Sequence, residues 1–300
     1  MVDTTLPTGR RAATAGTVVV KLSGHDAIRE RLLPEGTYAA YGLAQLAPRL
    51  LPATDCWSAG GTAGSALVLH SRGGLGHAML CVGDPTALDA ILSLHPGPRF
   101  SFASFRPEQR PVLRRHFMLS RDELMVRMSV TGETFRHVET QEQAVRLRGD
   151  DIGRINRLYS SETGPAAYTS RHINEGVYYG VMLEDRLVAI AGTHVNSPGE
   201  GVAVVGNVFT HPHYRGGGLA TIATSAVTSV LLQDADTVAL TVEARNRPAL
   251  AVYDKLGYRQ VCTLYETPVV RKDALGVASA VRRLLAGWRG RLEGKEIVSR

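Results

Sequence analysis

The chain has 300 residues, of which 44% are hydrophobic and 21% are charged, and its formal net charge is +6. This composition is typical of a globular enzyme and leaves room for two domains. No apolar run reaches the length that crosses a membrane, and Val18–Val20 is too short to be the core of a signal peptide.

The cysteine and charge patterns narrow the class of protein further. Cys56, Cys81 and Cys262 are widely spaced and form no C-x-x-C pair, which indicates a reducing cytoplasm and argues against a zinc site. The positive charge raises nucleic-acid binding as an alternative function. However, the arginines are scattered, aromatic residues make up only 6%, and the sequence has no zinc-finger spacing or RNP-like aromatic block. We therefore expect no nucleic-acid partner.

The first half of the chain shows helix and strand signals in a regular order. Residues 1–16 lack a long apolar segment, and we expect a disordered tail there. The residues that follow predict helices over Asp26–Leu33, Thr37–Ala47 and Asp84–Leu94, and strands over Ala66–His70, His77–Val82, Phe100–Phe105 and Phe117–Val130. Arg72–Gly76 is rich in glycine but no helix follows it, so we interpret it as a hairpin turn. Polar residues over Gly132–Gln143 predict a domain boundary.

The second half predicts alternating strands and helices. The strands are Leu187–Val195, Val202–Phe209 and Asp236–Glu243, and the helices run from about Leu219 to Leu232 and from Asn246 to a stop at Gly257. Asn246 is a good N-cap, and Pro248 suits the first helical turn.

The C-terminal segment Ala274–Leu292 has apolar residues at near-helical spacing with basic residues between them. The apolar positions are Val277, Val281, Leu284, Leu285, Trp288 and Leu292, and the basic cluster is Arg282, Arg283, Arg289 and Arg291. A helix that lies on a membrane surface is one interpretation. We favour a helix that packs on its own domain or on a second subunit, which leaves a homodimer open.

The segment from Arg215 to Thr221 carries the strongest chemical signal. A strand that stops at Pro212 is followed by three glycines, Gly216–Gly218, and then by a predicted helix. The first amides of a helix have no internal partner, the helix dipole is positive there, and glycine lets an anion approach the backbone. The pattern therefore predicts a site for a phosphate-bearing ligand, with Arg215 as an added positive charge.

Two common phosphate motifs do not fit this segment. A P-loop requires G-x-x-x-x-G-K-[ST], but Glu296 follows the only Gly-Lys pair in the chain. A dinucleotide fingerprint requires a third glycine where this chain has Thr221. What remains is the pattern R-x-x-G-x-A, formed by Arg215, Gly218 and Ala220.

This pattern and a second block resemble the signatures of the GNAT superfamily of N-acetyltransferases. R-x-x-G-x-A resembles the family's coenzyme A pyrophosphate loop, Q/R-x-x-G-x-G/A. One predicted helix and one predicted strand later, residues 246–258 match the second signature, N-x-x-A-x-x-x-Y-x-K-x-G-F/Y, at every position. The resemblance covers roughly Ala144 to Pro268, which is the length of one domain.

The resemblance implies a reaction and a set of site residues. Members of the family transfer an acetyl group from acetyl-CoA to a primary amine by direct attack, and Tyr253 would be the general acid that protonates the leaving thiolate. The residues implied in coenzyme A binding are Val208, Phe209, Thr210, Arg215, Gly216, Gly217, Gly218, Leu219, Ala220, Thr221 and Asn246. The implied partners are acetyl-CoA or another acyl-CoA and a small-molecule amine or amino-terminal acceptor, and no metal is implied.

Several of these residues also have a structural interpretation. Tyr253 taken alone is typical of a core tyrosine with a satisfied hydroxyl, and Asn246 is typical of a helix cap. His211 and His213 form an H-x-H pair without a third ligand nearby, so we interpret them as loop histidines. The general base stays open among His194, Glu200, Glu243, Glu162 and Glu175, and a water chain is a further alternative.

The first half repeats the hairpin–helix–strand order of the second half without its phosphate loop. This layout resembles two-domain acyltransferases of the glycine N-acyltransferase-like kind, whose first domain is a degenerate GNAT domain. We therefore predict a mixed α/β (α+β) protein with tandem GNAT-like domains, each a central mixed, mostly antiparallel sheet flanked by helices. The expected segments are a disordered tail (1–16), a degenerate GNAT-like domain (17–132), a catalytic GNAT domain (133–270) and a basic C-terminal helix or tail (271–300).

A non-catalytic coenzyme A-binding sensor and a nucleic-acid-binding protein are the alternative functions.

Overall fold

The computed structural model describes residues 11–14, 17–61, 64–72, 76–121, 123–138, 144–162 and 168–292, with side chains for all of these except 11–14 and 288–292. The chain folds into two compact units. The first unit consists of the described residues of Met1–Leu124 and Thr263–Arg300, and the second is Met125–Cys262.

The helices and strands follow one another in a similar order in the two halves of the chain. The first half contains β1 Arg11–Thr14, β2 Thr17–Leu22, α1 His25–Leu32, α2 Ala40–Ala44, β3 Thr54–Gly61, β4 Gly64–Ser71, β5 Ala78–Gly83, α3 Pro85–Leu94, β6 Phe100–Phe105, α4 Arg110–His116 and β7 Phe117–Leu119. The second half contains β8 Leu124–Thr131, β9 Ala144–Arg146, α5 Ile152–Tyr159, α6 Ser170–Glu175, β10 Tyr179–Leu183, β11 Arg186–Ser197, β12 Val202–Thr210, α7 Leu219–Leu231, β13 Thr237–Glu243, α8 Arg247–Lys255, β14 Arg259–Arg271 and α9 Val277–Leu292.

The sheet of the first unit has the strand order β1-β2-β3-β4-β5-β6-β14, and β7 also pairs with β14. Its neighbours are antiparallel except for β5 and β6, which are parallel and are connected by α3. Helix α3 begins where the Asp84 carboxylate accepts hydrogen bonds from two amides of the first turn. It then buries an apolar stripe that includes Leu88, Ile91 and Leu92 in the core of the unit.

The sheet of the second unit has the order β8-β13-β12-β11-β10-β9. Only β12 and β13 are parallel among these pairs of the described chain, and α7 is the crossover between them. One core cluster packs under α7 and another under α5 and α6. On β10, Val181 joins the first cluster and Met182 joins the second, so the alternation of a strand places the clusters on opposite faces of the sheet. Both units thus have the predicted mixed, mostly antiparallel sheet flanked by helices.

The borders of the two units differ from the expected borders at 132/133 and 270/271. Strand β8 pairs with β13 of the second unit along its whole length, from Met125 to Thr131. In return, residues 265–270 of β14 pair with β6 of the first unit, and Val269 lies in the core of that unit. The border expected at 132/133 lies just after β8, which pairs in the second unit, and the border expected at 270/271 lies inside β14, whose later part pairs in the first unit. The hydrogen-bonded neighbour, not the position in the chain, decides to which unit a strand belongs.

Most predicted elements are present, but three predictions need correction. Within the tail expected over 1–16, Arg11–Thr14 form a strand that pairs with β2, and residues 1–10 and 15–16 lie outside the described chain. The helix expected over Thr37–Ala47 is a 3-10 turn followed by the short helix α2, because Pro34 and Gly36 (φ 55°) interrupt the helical backbone just before it. The strand expected over Phe117–Val130 is split into β7 and β8.

Helix α9 packs on the first unit, as favoured above. Arg283 donates to the carbonyl of Leu94 at the end of α3, and Ala286 is buried in the core. Val277, Leu284 and Leu285 on the same helix stay exposed. The side chains of Trp288, Arg289, Arg291 and Leu292 lie outside the described part of the chain. No helix in the described ranges combines the length and apolarity needed to cross a membrane.

Replacing Gly257, which ends α8, with alanine should destabilise the second unit. Gly257 has φ +91°, and an added Cβ would lie 2.0 Å from the carbonyl oxygen of Thr134. Strain at positive φ and the backbone clash together predict a loss of about 2–4 kcal/mol in the free energy of unfolding. The measurement is urea unfolding followed by circular dichroism.

The matched control is Gly153→Ala in α5. An added Cβ at Gly153 meets no atom within 4 Å, and its φ lies outside the positive region. Because alanine has the higher helix propensity, this variant should keep or gain up to about 1 kcal/mol. An unchanged unfolding midpoint in Gly257→Ala would contradict the prediction.

Candidate functional site

The site begins where two parallel strands separate. Strands β12 and β13 pair only from Val202↔Thr237 to Val205↔Leu240, although β12 continues to Thr210 and β13 to Glu243. At Asn207 the backbone of β12 has φ 54°, and its register against β11 shifts there, so that β12 carries a bulge. Beyond the bulge the β13-facing edge of β12 has no strand partner in the described chain. Apart from the carbonyl of Thr210, which accepts from Arg215, the backbone groups on that edge are therefore open to a ligand between the strands.

The glycine-rich turn lies at the open end of this gap. Gly216 has φ 86° and Gly218 has φ 78°, which only glycine adopts without strain, and an added Cβ at either would meet no atom within 4 Å. Gly218 is the N-cap of α7, with no side-chain cap and no acidic residue in the first turn. None of the residues that the structure describes accepts a hydrogen bond from the amides of Gly216 to Ala220. These amides and the free space beside them form an anion site.

Not every residue expected at this site contributes in the expected way. The amide of Thr221 donates to the carbonyl oxygen of Gly218 at 2.9 Å, so it is used within the first turn. The side chains of Leu219 and Thr221 are buried. Of these two residues, only Leu219 therefore has an amide that is available to a ligand. Gly217 has an ordinary φ and is not required by backbone conformation.

The corresponding turn of the first unit is closed. There, β5 leads into α3 through Asp84 alone, and its carboxylate accepts from the amides of Thr86 at 2.7 Å and Ala87 at 3.1 Å. Pro85 occupies the first helical position and has no amide hydrogen to offer. The protein's own carboxylate thus sits where an anion would bind, and its charge repels one. This explains why the first half has no phosphate loop.

Arg215 is held by an ion pair at the rim of the turn. Both of its terminal nitrogens donate to the carboxylate of Glu162, and its Nε donates to the carbonyl oxygen of Thr210 at 3.2 Å. The guanidinium also lies 5.8 Å from the ring centroid of Phe209. Glu162 therefore neutralises part of the positive charge that Arg215 places beside the turn. The carbonyl oxygen of Thr210 already accepts a hydrogen bond from Arg215.

Tyr253 lies on α8, and none of the described residues bonds its hydroxyl. Its side chain is only 6% exposed, and burial raises the pKa of its phenol to about 12. No hydrogen bond to its hydroxyl is present within the described ranges, in contrast to Tyr258, which shares one with Thr228 at 2.7 Å. Tyr253 thus differs from a typical core tyrosine, because its hydroxyl makes no hydrogen bond to the described residues. It stays protonated at neutral pH and can donate a proton.

Asn246 has the structural role expected of it. Its side-chain oxygen accepts from the amide of Ala249 at 3.2 Å and caps α8. His211 accepts from the amide of His213 at 3.3 Å, and desolvation lowers the pKa of His211. No group of three or more potential metal ligands is found among the described residues.

The five candidate bases lie in different places. Glu200 is in the turn before β12, roughly 25 Å along the strand from Thr210, so it is far from the gap. Glu162 is bonded to Arg215, which lowers the pKa of its carboxyl. Glu175 pairs with Arg171 at 2.9 Å on the surface of α6. Glu243 lies at the open end of β13, with Arg245 at 3.4 Å.

His194, the fifth candidate base, is in contact with the bulge. Its Nε2 lies 2.9 Å from Oδ1 of Asn207. The hydroxyls of Tyr168 and Tyr178 also bond the carboxamide of Asn207, and the hydroxyl of Tyr159 donates to its backbone carbonyl. The sequence-based prediction missed this cluster. The one available signal was an asparagine, a poor strand former, within the β-branched run of β12.

Comparisons with known proteins match part of the chain to a family and find similar folds. Residues 150–258 match the model of the acetyltransferase (GNAT) family. A GCN5-related N-acetyltransferase from Sphaerobacter thermophilus has a similar fold, with a TM-score of 0.52 and 15% identity over 84% of this chain and 95% of that chain. Another, from Kribbella flavida, has a TM-score of 0.51 and 17% identity over 70% of this chain and 88% of that chain. A Drosophila protein has a TM-score of 0.54 and 13% identity over 81% and 86% of the two chains. No curated protein sequence matches the chain.

The two tyrosines of α8 and the turn after it should respond differently to loss of their hydroxyls. Tyr258→Phe removes a buried hydrogen bond and leaves the Thr228 hydroxyl without its partner, so it should cost about 1–2 kcal/mol of unfolding free energy. Tyr253→Phe removes a hydroxyl that none of the described residues bonds and should change stability by less than about 0.5 kcal/mol. Urea unfolding measures both. Equal losses would show that the Tyr253 hydroxyl is bonded in the folded protein.

Proposed function

Residues 150–258 form a domain of the acetyltransferase (GNAT) family, and on that premise we propose that the protein transfers an acetyl group from acetyl-CoA to a primary amine. The observation that carries this proposal is the uncapped glycine turn at the open end of the gap between β12 and β13. The corresponding turn of the first unit is capped by Asp84, which supports placing the donor in the second unit.

The donor is held by backbone groups of the second unit. The amides of Gly216 to Ala220, at the positive end of α7, suit a pyrophosphate, and Arg215 adds positive charge at the rim. The edge of β12 at Val208, Phe209 and Thr210 has no strand partner toward β13 in the described chain. Apart from the carbonyl of Thr210, which accepts from Arg215, it suits an extended pantetheine arm that forms backbone hydrogen bonds as an added strand does. Asn246, at the start of α8, lies at the same end of the sheet.

The chemistry requires a positioned amine, a donor of a hydrogen bond to the carbonyl and a source of a proton for sulfur. The amine attacks the thioester carbonyl directly, and the carbon–sulfur bond breaks. Tyr253 protonates the leaving thiolate, because burial keeps its phenol protonated and its hydroxyl has no partner in the described chain. One proton of the amine nitrogen leaves to a base.

Tyr253→Phe should remove turnover and leave donor binding intact. The expected fall in kcat is roughly 10²-fold or more, the usual contribution of a general acid, at an unchanged dissociation constant for coenzyme A. The measurement is release of free thiol from acetyl-CoA with a panel of primary amines. Tyr258→Phe, assayed under conditions in which it is folded, serves as the matched control and should keep kcat.

The same assay separates the enzyme from a non-catalytic coenzyme A sensor. A sensor binds coenzyme A with the wild-type affinity but releases no thiol with any amine of the panel. Binding without turnover in the wild-type protein would therefore reject the transferase and favour the sensor.

Gly218→Asp should close the turn as Asp84 closes that of the first unit. An aspartate at the N-cap would accept from the first amides of α7 and place a negative charge where the pyrophosphate is proposed to bind. Affinity for coenzyme A, measured by calorimetry, should fall at least about tenfold, which corresponds to about 1.4 kcal/mol.

Gly218→Asn is the control for shape and backbone conformation. It caps the helix without a charge and, like aspartate, tolerates positive φ better than other residues do. Its loss of affinity should be smaller than that of Gly218→Asp. Wild-type affinity in the aspartate variant would place the pyrophosphate elsewhere.

A further inference from the structure

A cluster of hydrogen bonds surrounds Asn207 at the bulge of β12. Oδ1 of Asn207 lies 2.7 Å from the hydroxyl of Tyr168 and 2.9 Å from Nε2 of His194. Nδ2 of Asn207 lies 3.0 Å from the hydroxyl of Tyr178, and that hydroxyl lies 3.3 Å from the carbonyl oxygen of Thr193. The cluster faces the side of the sheet covered by α5 and α6, whereas Tyr253 packs on the side covered by α7.

The direction of each hydrogen bond follows from the Thr193 carbonyl. A carbonyl oxygen only accepts hydrogen bonds, so the hydroxyl of Tyr178 donates its one hydrogen to the carbonyl oxygen of Thr193. That hydroxyl must then accept from Asn207, which turns Nδ2 toward Tyr178 and Oδ1 toward His194. Because Oδ1 also only accepts, Nε2 of His194 must carry the hydrogen. The neutral imidazole therefore holds its lone pair on Nδ1.

The three phenols of the cluster support this assignment. Burial raises the pKa of Tyr178 to about 12 and raises the pKa values of Tyr168 and Tyr159 as well. All three hydroxyls are therefore protonated at neutral pH and available as donors. None of them is a phenolate, so none offers His194 a charged acceptor in place of Oδ1 of Asn207.

The backbone conformation of Asn207 determines the position of this cluster on β12. Its φ of 54° is a conformation that asparagine, aspartate and glycine adopt more readily than other residues. The ring of His194 lies over Gly206, since an added Cβ there would be 2.5 Å from the ring. Gly206 directly follows Val205, the last residue of β12 that pairs with β13. His194 thus lies next to the point at which β12 and β13 separate.

We propose that His194 is the general base of the transfer and that Asn207 is the residue that positions it. The inference rests on the proposed function. When the amine nitrogen bonds to the thioester carbon, Nδ1 of His194 takes a proton from that nitrogen, and Tyr253 gives a proton to sulfur as the carbon–sulfur bond breaks. The products are the amide and the free thiol, and both residues then return to their starting states by exchange with water. Asn207 holds the imidazole in the Nε2–H tautomer throughout.

The test combines nitrogen NMR of the imidazole with steady-state kinetics. Spectra of protein labelled with ¹⁵N-histidine show which ring nitrogen of His194 carries hydrogen, and they do not depend on activity. The wild-type protein should show the Nε2–H tautomer. His194→Gln, which can still donate to Asn207 but cannot take a proton, should lose roughly 10²-fold or more in kcat with the KM for acetyl-CoA unchanged. His172→Gln on α6 is the control and should keep kcat.

Two variants of Asn207 test its positioning role, since glycine and aspartate both suit the positive φ. Asn207→Gly removes the acceptor, so His194 should populate both tautomers and kcat should fall roughly tenfold to a hundredfold. Asn207→Asp keeps an acceptor and should keep the tautomer. Assayed at a pH at which the same spectra show His194 neutral, it should recover most of kcat.

The outcomes separate this inference from the proposed function. Thiol release that is lost in Tyr253→Phe but kept in His194→Gln would overturn the assignment of the base and leave the transferase standing. A wild-type His194 with hydrogen on Nδ1, or an Asn207→Gly variant with unchanged tautomer and kcat, would overturn the role of Asn207. A wild-type protein without any turnover would overturn both the transferase and its base.

Discussion

The end of the parallel pairing between β12 and β13 is the constraint on which the rest of the second unit depends. Hydrogen bonding stops at Val205 and Leu240 because the bulge at Asn207 turns β12 away from its neighbour. The unpaired edge of β12 and the glycine turn that follows it both border the resulting gap. A regular β12 would close the gap with a continued ladder, and the sheet would then have no place for a ligand.

The two units show how a small local change decides whether this fold has an anion site. Both connect a strand to its parallel neighbour through a helix, and both helices begin next to a strand end. In the first unit a carboxylate caps the helix, while in the second the amides of the turn stay open. The cap stabilises α3 and excludes anions from it, whereas α7 lacks the cap and keeps the positive end of its dipole available. This difference is why the proposed chemistry is placed in the second unit.

The sequence predicted those parts of the molecule that depend on local residues. Glycines at positive φ, the cap at Asn246 and the stop at Gly257 are set by neighbouring positions, and the turn, α7 and α8 were predicted for that reason. The exchange of β8 and β14 was missed, since a strand carries no local signal of which sheet it joins. The ion pair of Arg215 with Glu162 and the cluster at Asn207 were missed for the same reason, because they join residues from distant parts of the chain.

Direct transfer of the acetyl group to an amine is most directly tested by following the group itself. The protein is incubated with a panel of primary amines and with acetyl-CoA that carries an isotope-labelled acetyl group. The masses of the amines and of the intact protein are then measured by mass spectrometry. Transfer by direct attack predicts that the label appears on an amine in an enzyme-dependent way and never on the protein. Label that stays on coenzyme A with every amine, or that accumulates on the protein, would contradict it.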